Sequence, residues 1–303
     1  MNANLYPPAL QNGDEIRIVA PASVVQKSYI DNTTKVLSEL GYNITLGKNV
    51  FKINHQFAGN DDERTEDFQN ALDDLNVKAI FCARGGYGSI RIINKLNFTV
   101  LKEKPKWLVG FSDITAFHSY MNCRLNLPTL HAQMPVNFSD KYFMENLGRL
   151  NQMLNGIRPV LFINQSKLNR QGKSAGVLIG GNLSILYSLQ STPYEVDTRN
   201  KILFIEDVGE QLYHLDRIMQ NFKLSGKLDS LKGLIVGSFT DMKDKKRPFG
   251  KTAYEIILDA VKKYRFPVVF DFPAGHTQNN VPFILGSEVE LHVQKNRSTV
   301  KYL

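Results

Sequence analysis

The sequence predicts an α/β protein of two domains, the first built on a parallel sheet and the second a smaller α/β unit. Three observations lead there. The first half alternates short apolar strands with segments of helical periodicity, the pattern of a parallel sheet flanked by helices. Residues 156–172 then lose that periodicity and gather Pro159, Asn164, Gln165, Asn169, Arg170 and Gln171. Beyond them strand–helix alternation resumes. The expected division is 1–155, a linker over 156–172, and 173–303.

Each element follows from its pattern. Glu15–Ala20 reads as a strand, Lys27–Leu40 as a helix closed by Gly41, and Asn43–Leu46 as a second strand. Asp61 and Asp62 are expected to cap a helix running to about Asp74, with Phe68, Ala71, Leu72 and Leu75 on one face. Lys78–Ala83 is the next strand, Ser89–Leu96 the next helix and Trp107–Gly110 a further strand. Residues 128–133, which include His131, read as a loop. In the second half Gly176–Gly181 leads into a helix over Leu183–Leu189. Strands at Lys201–Ile205 and Gly233–Ser238 alternate with helices at Leu212–Phe222 and Thr252–Tyr264. The end is strand-rich: Val268–Phe270, Phe283–Leu285, Val289–Val293 and Thr299–Leu303.

The totals narrow the class. With 303 residues, 43% hydrophobic and 22% charged, the chain has material for a sizeable core. No run approaches the roughly 20 apolar residues of a membrane span. Met1–Pro8 carries neither a basic nor an apolar leader region, which predicts no secretory signal. Two cysteines, Cys82 and Cys123, argue against a disulfide framework and fit a reducing cytoplasm. No close pair of soft ligands is present, so a structural zinc is not expected. The net charge of +8 is compatible with nucleic acid, anionic lipid or acidic small substrates, and the cluster Lys243, Lys245, Lys246 and Arg247 reads as a solvated loop with no nucleic-acid motif beside it.

The segment Trp107–Ala116 holds the strongest chemical signal. An apolar strand ends in Gly110-Phe111-Ser112-Asp113 and a helix follows at once. A serine at such an apex is lifted clear of the backbone, and the helix N-terminus favours developing negative charge. The match to a nucleophile elbow is partial, because Ile114 stands where G-x-S-x-G needs glycine, and Ser112 and Asp113 could instead cap the helix. A serine nucleophile needs a base and a group that orients it. Among six histidines, His55 and His214 sit in polar surroundings, His118 packs within the helix, His131 could line a cleft and His292 lies on a terminal strand. His276 follows a strand within Phe272-Pro273-Ala274-Gly275-His276, a tight loop that would present the imidazole. The orienting acid is sought in Ile205-Glu206-Asp207-Val208-Gly209-Glu210. Glu206 is in strand register, whereas Asp207 and Glu210 also fit an acidic first turn of the next helix.

Cys82-Ala83-Arg84-Gly85-Gly86-Tyr87-Gly88 is a glycine loop between strand and helix. It matches no nucleotide-binding spacing. It suits an oxyanion hole made by the N–H groups of Gly86 and Asp113, each such donor worth roughly 3 kcal/mol in the transition state. Arg84, Tyr87 and Asn182 are candidate substrate contacts, with Arg84 equally suited to a structural ion pair and Asn182 to a helix cap.

Joint order and spacing of these motifs resemble the LD-carboxypeptidase family, serine peptidases also called muramoyltetrapeptide carboxypeptidases. The likeness spans nearly the whole chain: Ile18–Ser23, Ala83–Gly88, Gly110–Thr115, Ile179–Leu183, Ile205–Glu210 with Asp216-Arg217, and Gly275-His276. The resemblance implies a flavodoxin-like N-terminal domain carrying the nucleophile Ser112 and a smaller domain carrying the acid Glu206 and the base His276. Glu210 is the competing acid. It further implies a site at the domain interface in a homodimer, no cofactor, and release of the terminal D-alanine from cytosolic murein tetrapeptides in peptidoglycan recycling. A microcin C immunity hydrolase of the same family is the alternative. Readings from other classes are a non-catalytic two-lobed binding protein and an amidotransferase-like enzyme using Cys82.

Overall fold

The computed structural model describes residues 6–137 and 141–303; Met1–Leu5, read above for a leader, lie outside them. The chain divides into two compact units. The first comprises residues 1–158 and 278–285, the second 159–277 and 286–303.

In the first unit the elements are β1 (Glu15–Val19), α1 (Lys27–Glu39), β2 (Asn43–Leu46), α2 (Asp61–Asp73), β3 (Val77–Cys82), α3 (Ser89–Ile92), α4 (Thr99–Glu103), β4 (Trp107–Gly110), α5 (Thr115–Arg124), β5 (Thr129–His131) and α6 (Phe143–Leu154). The parallel strands run β2-β1-β3-β4-β5, and Phe283–Leu285 returns to pair antiparallel with β5. This is the flavodoxin-like order. All of β4 and all but one residue of β3 are buried, as sheets covered on both faces require. The order reverses between β1 and β3, and there ligand-binding loops gather at the strands' carboxyl ends.

Several boundaries differ from the sequence expectation. Asn60, not Asp61 or Asp62, caps α2, closing a capping box with Glu63. The segment 89–96 is a short helix followed by a 3-10 turn over Ile93–Lys95. Thr129–His131 is a fully buried strand rather than a loop, and α4 and α6 were not anticipated.

The second unit begins with β6 (Leu161–Ile163), inside the stretch expected to be a linker. It continues with β7 (Gly172–Asn182), α7 (Leu183–Ser188), β8 (Lys201–Val208), α8 (Leu212–Leu224), β9 (Gly233–Thr240), α9 (Ala253–Ala260) and β10 (Val268–Val269). The strand returning to the first sheet is β11, and β12 (Glu288–Val293) and β13 (Ser298–Tyr302) complete the unit. Strands β7 to β10 are parallel neighbours, extended on the β7 side by antiparallel β12, β13 and β6. At Gly180 (φ +131°) a Cβ would lie 1.9 Å from the Phe204 carbonyl oxygen, so β7 and β8 can meet there only through glycine.

One buried cation secures the frame of the first unit. Lys106, 3% exposed, donates from Nζ to the carbonyls of Ala71 (2.9 Å), Leu72 (2.7 Å) and Asp74 at the end of α2. A positive charge at a helix C-terminus satisfies both the orphan carbonyls and the helix dipole. Lys106→Met should therefore lower stability by about 2–4 kcal/mol, read as an earlier chemical-denaturation midpoint. An unchanged midpoint would show that these bonds carry no weight.

Candidate functional site

In the first unit three loops leave the carboxyl ends of β1, β3 and β4. After β4, Ser112 takes φ +63°, a conformation that costs a non-glycine residue of order 1–3 kcal/mol and recurs at functional turns. It stands half-buried at the start of a 3-10 turn, Ser112–Ile114, which runs into α5. The cap positions of the 3-10 turn and of α5 are Phe111 and Ile114, so Ser112 and Asp113 are not helix caps here. Asp113 instead reaches across to β3's loop, its Oδ2 accepting the Ser89 N–H at 2.8 Å. Burial raises its carboxyl above the usual range, against the pull of that bond.

The glycine loop lies directly against this turn. A Cβ on Gly85 would stand 2.9 Å from Ser112 Cβ, 3.1 Å from its Oγ and 3.3 Å from the Asp113 nitrogen. Gly86, at φ +98°, is exposed, and a Cβ there would meet Ser23 Oγ of the β1 loop at 2.2 Å. The Ser23 N–H donates to the Gly85 carbonyl at 3.2 Å. Arg64 joins the same loops from α2: fully buried, its Nη1 donates to the carbonyls of Pro21 (2.6 Å) and Gly88 (3.0 Å). Its Nη2 also pairs with Asp61 one turn back on α2, and sequence reasoning missed Arg64 because such an i,i+3 pair says nothing of the distant carbonyls it also binds. Arg84 is exposed and donates to the Val24 carbonyl at 3.1 Å, while Tyr87 is 44% exposed.

Two histidines of this unit are unsuited to be a base. His118 is fully buried, its Nε2 2.9 Å from the Gly110 carbonyl, and burial pushes its pKa down to about 4. His131 is fully buried on β5 and stacked on Phe283. Cys82 is also buried, and desolvation, then the Asp113 charge, pushes its thiol far above the range of a reactive cysteine.

In the second unit Glu206 and His276 meet. Glu206, 0% exposed on β8, accepts from His276 Nδ1 at 2.7 Å and from the His276 backbone N–H at 3.2 Å. Local features make room for the pair. Opposite Glu206, β9 carries two residues, Gly237 and Ser238, where β8 has one, a bulge of the kind that re-aims side chains beside functional sites. At Gly275 (φ +113°) a Cβ would lie 2.8 Å from Glu206 Oε2. The loop is pinned by the Ser238 N–H donating to the Ala274 carbonyl (3.0 Å) and the Thr240 hydroxyl donating to the His276 carbonyl (2.9 Å). Burial would lower the imidazole pKa, but the Glu206 bond and charge, joined by the Asp207 charge, outweigh it and raise it above the usual value.

Neighbouring acids have other partners. Asp207 accepts from Asn182 Nδ2 (2.9 Å), from the Ser184 N–H (3.0 Å) and hydroxyl (2.8 Å), and from the Val208 N–H (2.9 Å). Glu210 is paired with His214 at 2.5 Å and accepts from the Ser184 hydroxyl at 3.1 Å. Asn182, 5% exposed, caps α7 by accepting the Ile185 N–H at 3.1 Å, so its amide serves contacts inside the unit.

The arrangement within each unit matches known proteins. The LD-carboxypeptidase N-terminal domain model matches residues 16–132 and the LD-carboxypeptidase C-terminal domain model residues 175–291. A Bacillus subtilis protein named probable murein peptide carboxypeptidase is 31% identical over 98% of this chain and 95% of its own. The crystal structure of muramoyltetrapeptide carboxypeptidase from Oxalobacter formigenes superposes with a TM-score of 0.86 at 26% identity, covering 95% of this chain and 98% of that one. The microcin C7 self-immunity protein MccF, in complex with aspartyl sulfamoyl adenosine, shares the fold (TM-score 0.86, 20% identity, 98% of each chain). Matched by both domain models and by a relative aligned along nearly its whole length, this chain belongs to the LD-carboxypeptidase family.

Proposed function

We propose that the protein is a serine carboxypeptidase that cleaves the bond between an L-centre and the terminal D-alanine of murein tetrapeptides. Its setting would be cytosolic peptidoglycan recycling, and its form a homodimer. Family membership and the murein-directed names of its relatives support the substrate class. Cysteine usage and the family resemblance support the setting and the dimer. The observation that carries the chemistry is the Glu206–His276 bond.

An ionised carboxylate only accepts, so Nδ1 of His276 carries the proton and Nε2 is left with its lone pair. That tautomer is the one a general base needs. We assign Ser112 as nucleophile, its proton passing to His276 Nε2 as Oγ bonds to the scissile carbonyl carbon. The carbonyl oxygen, now negative, is received by the N–H groups of Gly86 and Asp113. Collapse breaks the C–N bond, and His276 returns the proton to the leaving D-alanine amine. A water then hydrolyses the acyl-enzyme by the same base. Arg84 is assigned to a substrate carboxylate and Tyr87 to the substrate's flank; Asn182 acts through the Asp207 carboxylate it holds.

Incubating the purified protein with murein tetrapeptide should release D-alanine and tripeptide. Absence of both products, with turnover of aspartyl sulfamoyl adenosine, would transfer the assignment to a microcin-type activity. Ser112→Ala and His276→Ala should each cut kcat by at least about 10⁴-fold, and the double variant should cost little more, because such residues act as a unit. Additive losses would refute a shared mechanism. Glu206→Gln should cost roughly 10³–10⁴-fold, as loss of the orienting carboxylate does elsewhere, and Glu210→Gln less than about 10-fold. The reverse order would make Glu210 the acid. His276 must be neutral to act as base, and its pKa is raised, so kcat/KM should climb with pH through a limb centred above about 6.5. A limb centred below that value would contradict the Glu206 pairing.

A further inference from the structure

Strand β8 delivers two consecutive carboxylates, and only one of them touches the imidazole. Successive side chains on a strand point to opposite faces. Glu206 meets His276 on one face, while Asp207, 2% exposed, faces the start of α7 on the other. A carboxylate this deep is costly unless its oxygens are satisfied. Asp207 has four donors: Asn182 Nδ2 and the Val208 N–H on Oδ1, and the Ser184 N–H and hydroxyl on Oδ2. None is a cation, so its charge is solvated by dipoles and not neutralised.

The same Ser184 hydroxyl stands 3.1 Å from Glu210, which binds His214 on α8. One hydroxyl proton serves one carboxylate at a time, so Asp207 and Glu210 compete for it. The groups facing Asp207 are therefore Glu206 on its own strand, Asn182 and Ser184 at α7, Glu210 in the turn that follows, and His214 beyond it. Those acting on His276 are Glu206 of β8 in direct contact and the Asp207 charge from the far side of the same strand, with the Thr240 hydroxyl of β9 on its carbonyl.

We propose that Asp207 is a positioning residue for the Glu206–His276 pair: its unneutralised charge, fixed behind β8 by Asn182 and Ser184, helps hold the imidazolium that forms when His276 takes up a proton. Desolvation, followed by the Glu206 charge, pushes the Asp207 pKa up to about 6. It is thus mostly ionised at neutral pH and loses its charge on mild acidification. This role rests on the serine-hydrolase reading for its effect on turnover, but not for its effect on the imidazole.

The test is an NMR titration of His276 in the intact protein, beside the pH profile of kcat/KM on murein tetrapeptide. Asp207→Asn should lower the His276 pKa by about half a unit or more, and move the acid limb of kcat/KM down with it. Ser184→Ala, which keeps the Ser184 N–H bond but withdraws the hydroxyl, should produce a smaller shift of the same sign. It also serves if Asp207→Asn does not fold. An unmoved titration in the folded variants overturns the proposal, as does a lower plateau of kcat/KM over an unmoved limb. If the titration moves but no tetrapeptide is cleaved, the proposed function fails and this inference stands.

Discussion

A carboxylate with no exposure to solvent, bonded to one imidazole, organises the second unit. Burying Glu206 would cost several kcal/mol without compensation, and much of that cost returns only if a donor meets it at close range. The surrounding chain is arranged to bring that donor in. Glycine at 275 lets the backbone approach Glu206 Oε2, where any Cβ would intrude. The bulge at Gly237 and Ser238 lets β9 bend around the carboxylate and take the His276 loop through the Ala274 carbonyl. Two donors from one residue, the Nδ1 and the backbone N–H of His276, then converge on a single oxygen. The ring is oriented by this convergence, not merely placed nearby.

The first unit solves a different problem with similar means. Here an unfavourable backbone angle at Ser112 must be maintained, and the restraint comes from its neighbours. Asp113 is tied to the start of α3, Gly85 leaves no side chain to displace the serine, and Arg64 fastens the β1 and β3 loops from behind. The buried Arg64 guanidinium is paired with Asp61 on its own helix, and its remaining donors are satisfied only while the Pro21 and Gly88 carbonyls stay in place, so it steadies the loops it binds. Both sets of residues lie at the carboxyl ends of parallel strands, where the topology leaves loops free to vary while the sheet stays fixed.

Periodicity made most of this legible. Strands β1 to β4 and helices α1 and α2 could be read because their apolar residues recur at strand or helix spacing. Strand β5 could not: three residues including a histidine offer no alternation, and only the packing of Phe283 and Phe111 against His131 explains its burial. Strand β11 was recognisable as a strand but not as a member of the first sheet, because a run of Phe-Ile-Leu records that it is buried and not against what. Strand β6 was hidden for the opposite reason, its short edge segment alternating too briefly among polar residues. Of the proposed site, Ser112, Glu206 and His276 could be singled out from local context. Arg64 and Ser184 could not, since the carbonyls that hold Arg64 and the carboxylates that Ser184 meets lie more than 20 residues away in sequence, and Asp207 was legible only as an acid of the next helix's first turn, not as the partner of Asn182 and Ser184.

The pair of acids in Glu-Asp-Val-Gly-Glu shows how much a few residues of spacing decide. The strand's two-residue repeat separates Glu206 from Asp207 across the sheet, and the turn at Gly209 places Glu210 four residues before His214, within reach on the helix that follows. Each histidine therefore meets a different carboxylate, with Asp207 between the two pairs. The consequence is thermodynamic as well as geometric. His276 has a raised pKa in the folded state, so its pairing adds stability that is complete below the unfolded value of about 6.5 and fades as pH rises through the higher folded value. A general base works in the reverse direction, becoming competent as the proton leaves. In the proposed mechanism, the pairing that steadies the fold at mildly acidic pH thus holds a ring that must lose its Nε2 proton before it acts as base, and the imidazolium it favours is the species formed once the base has taken up the serine proton.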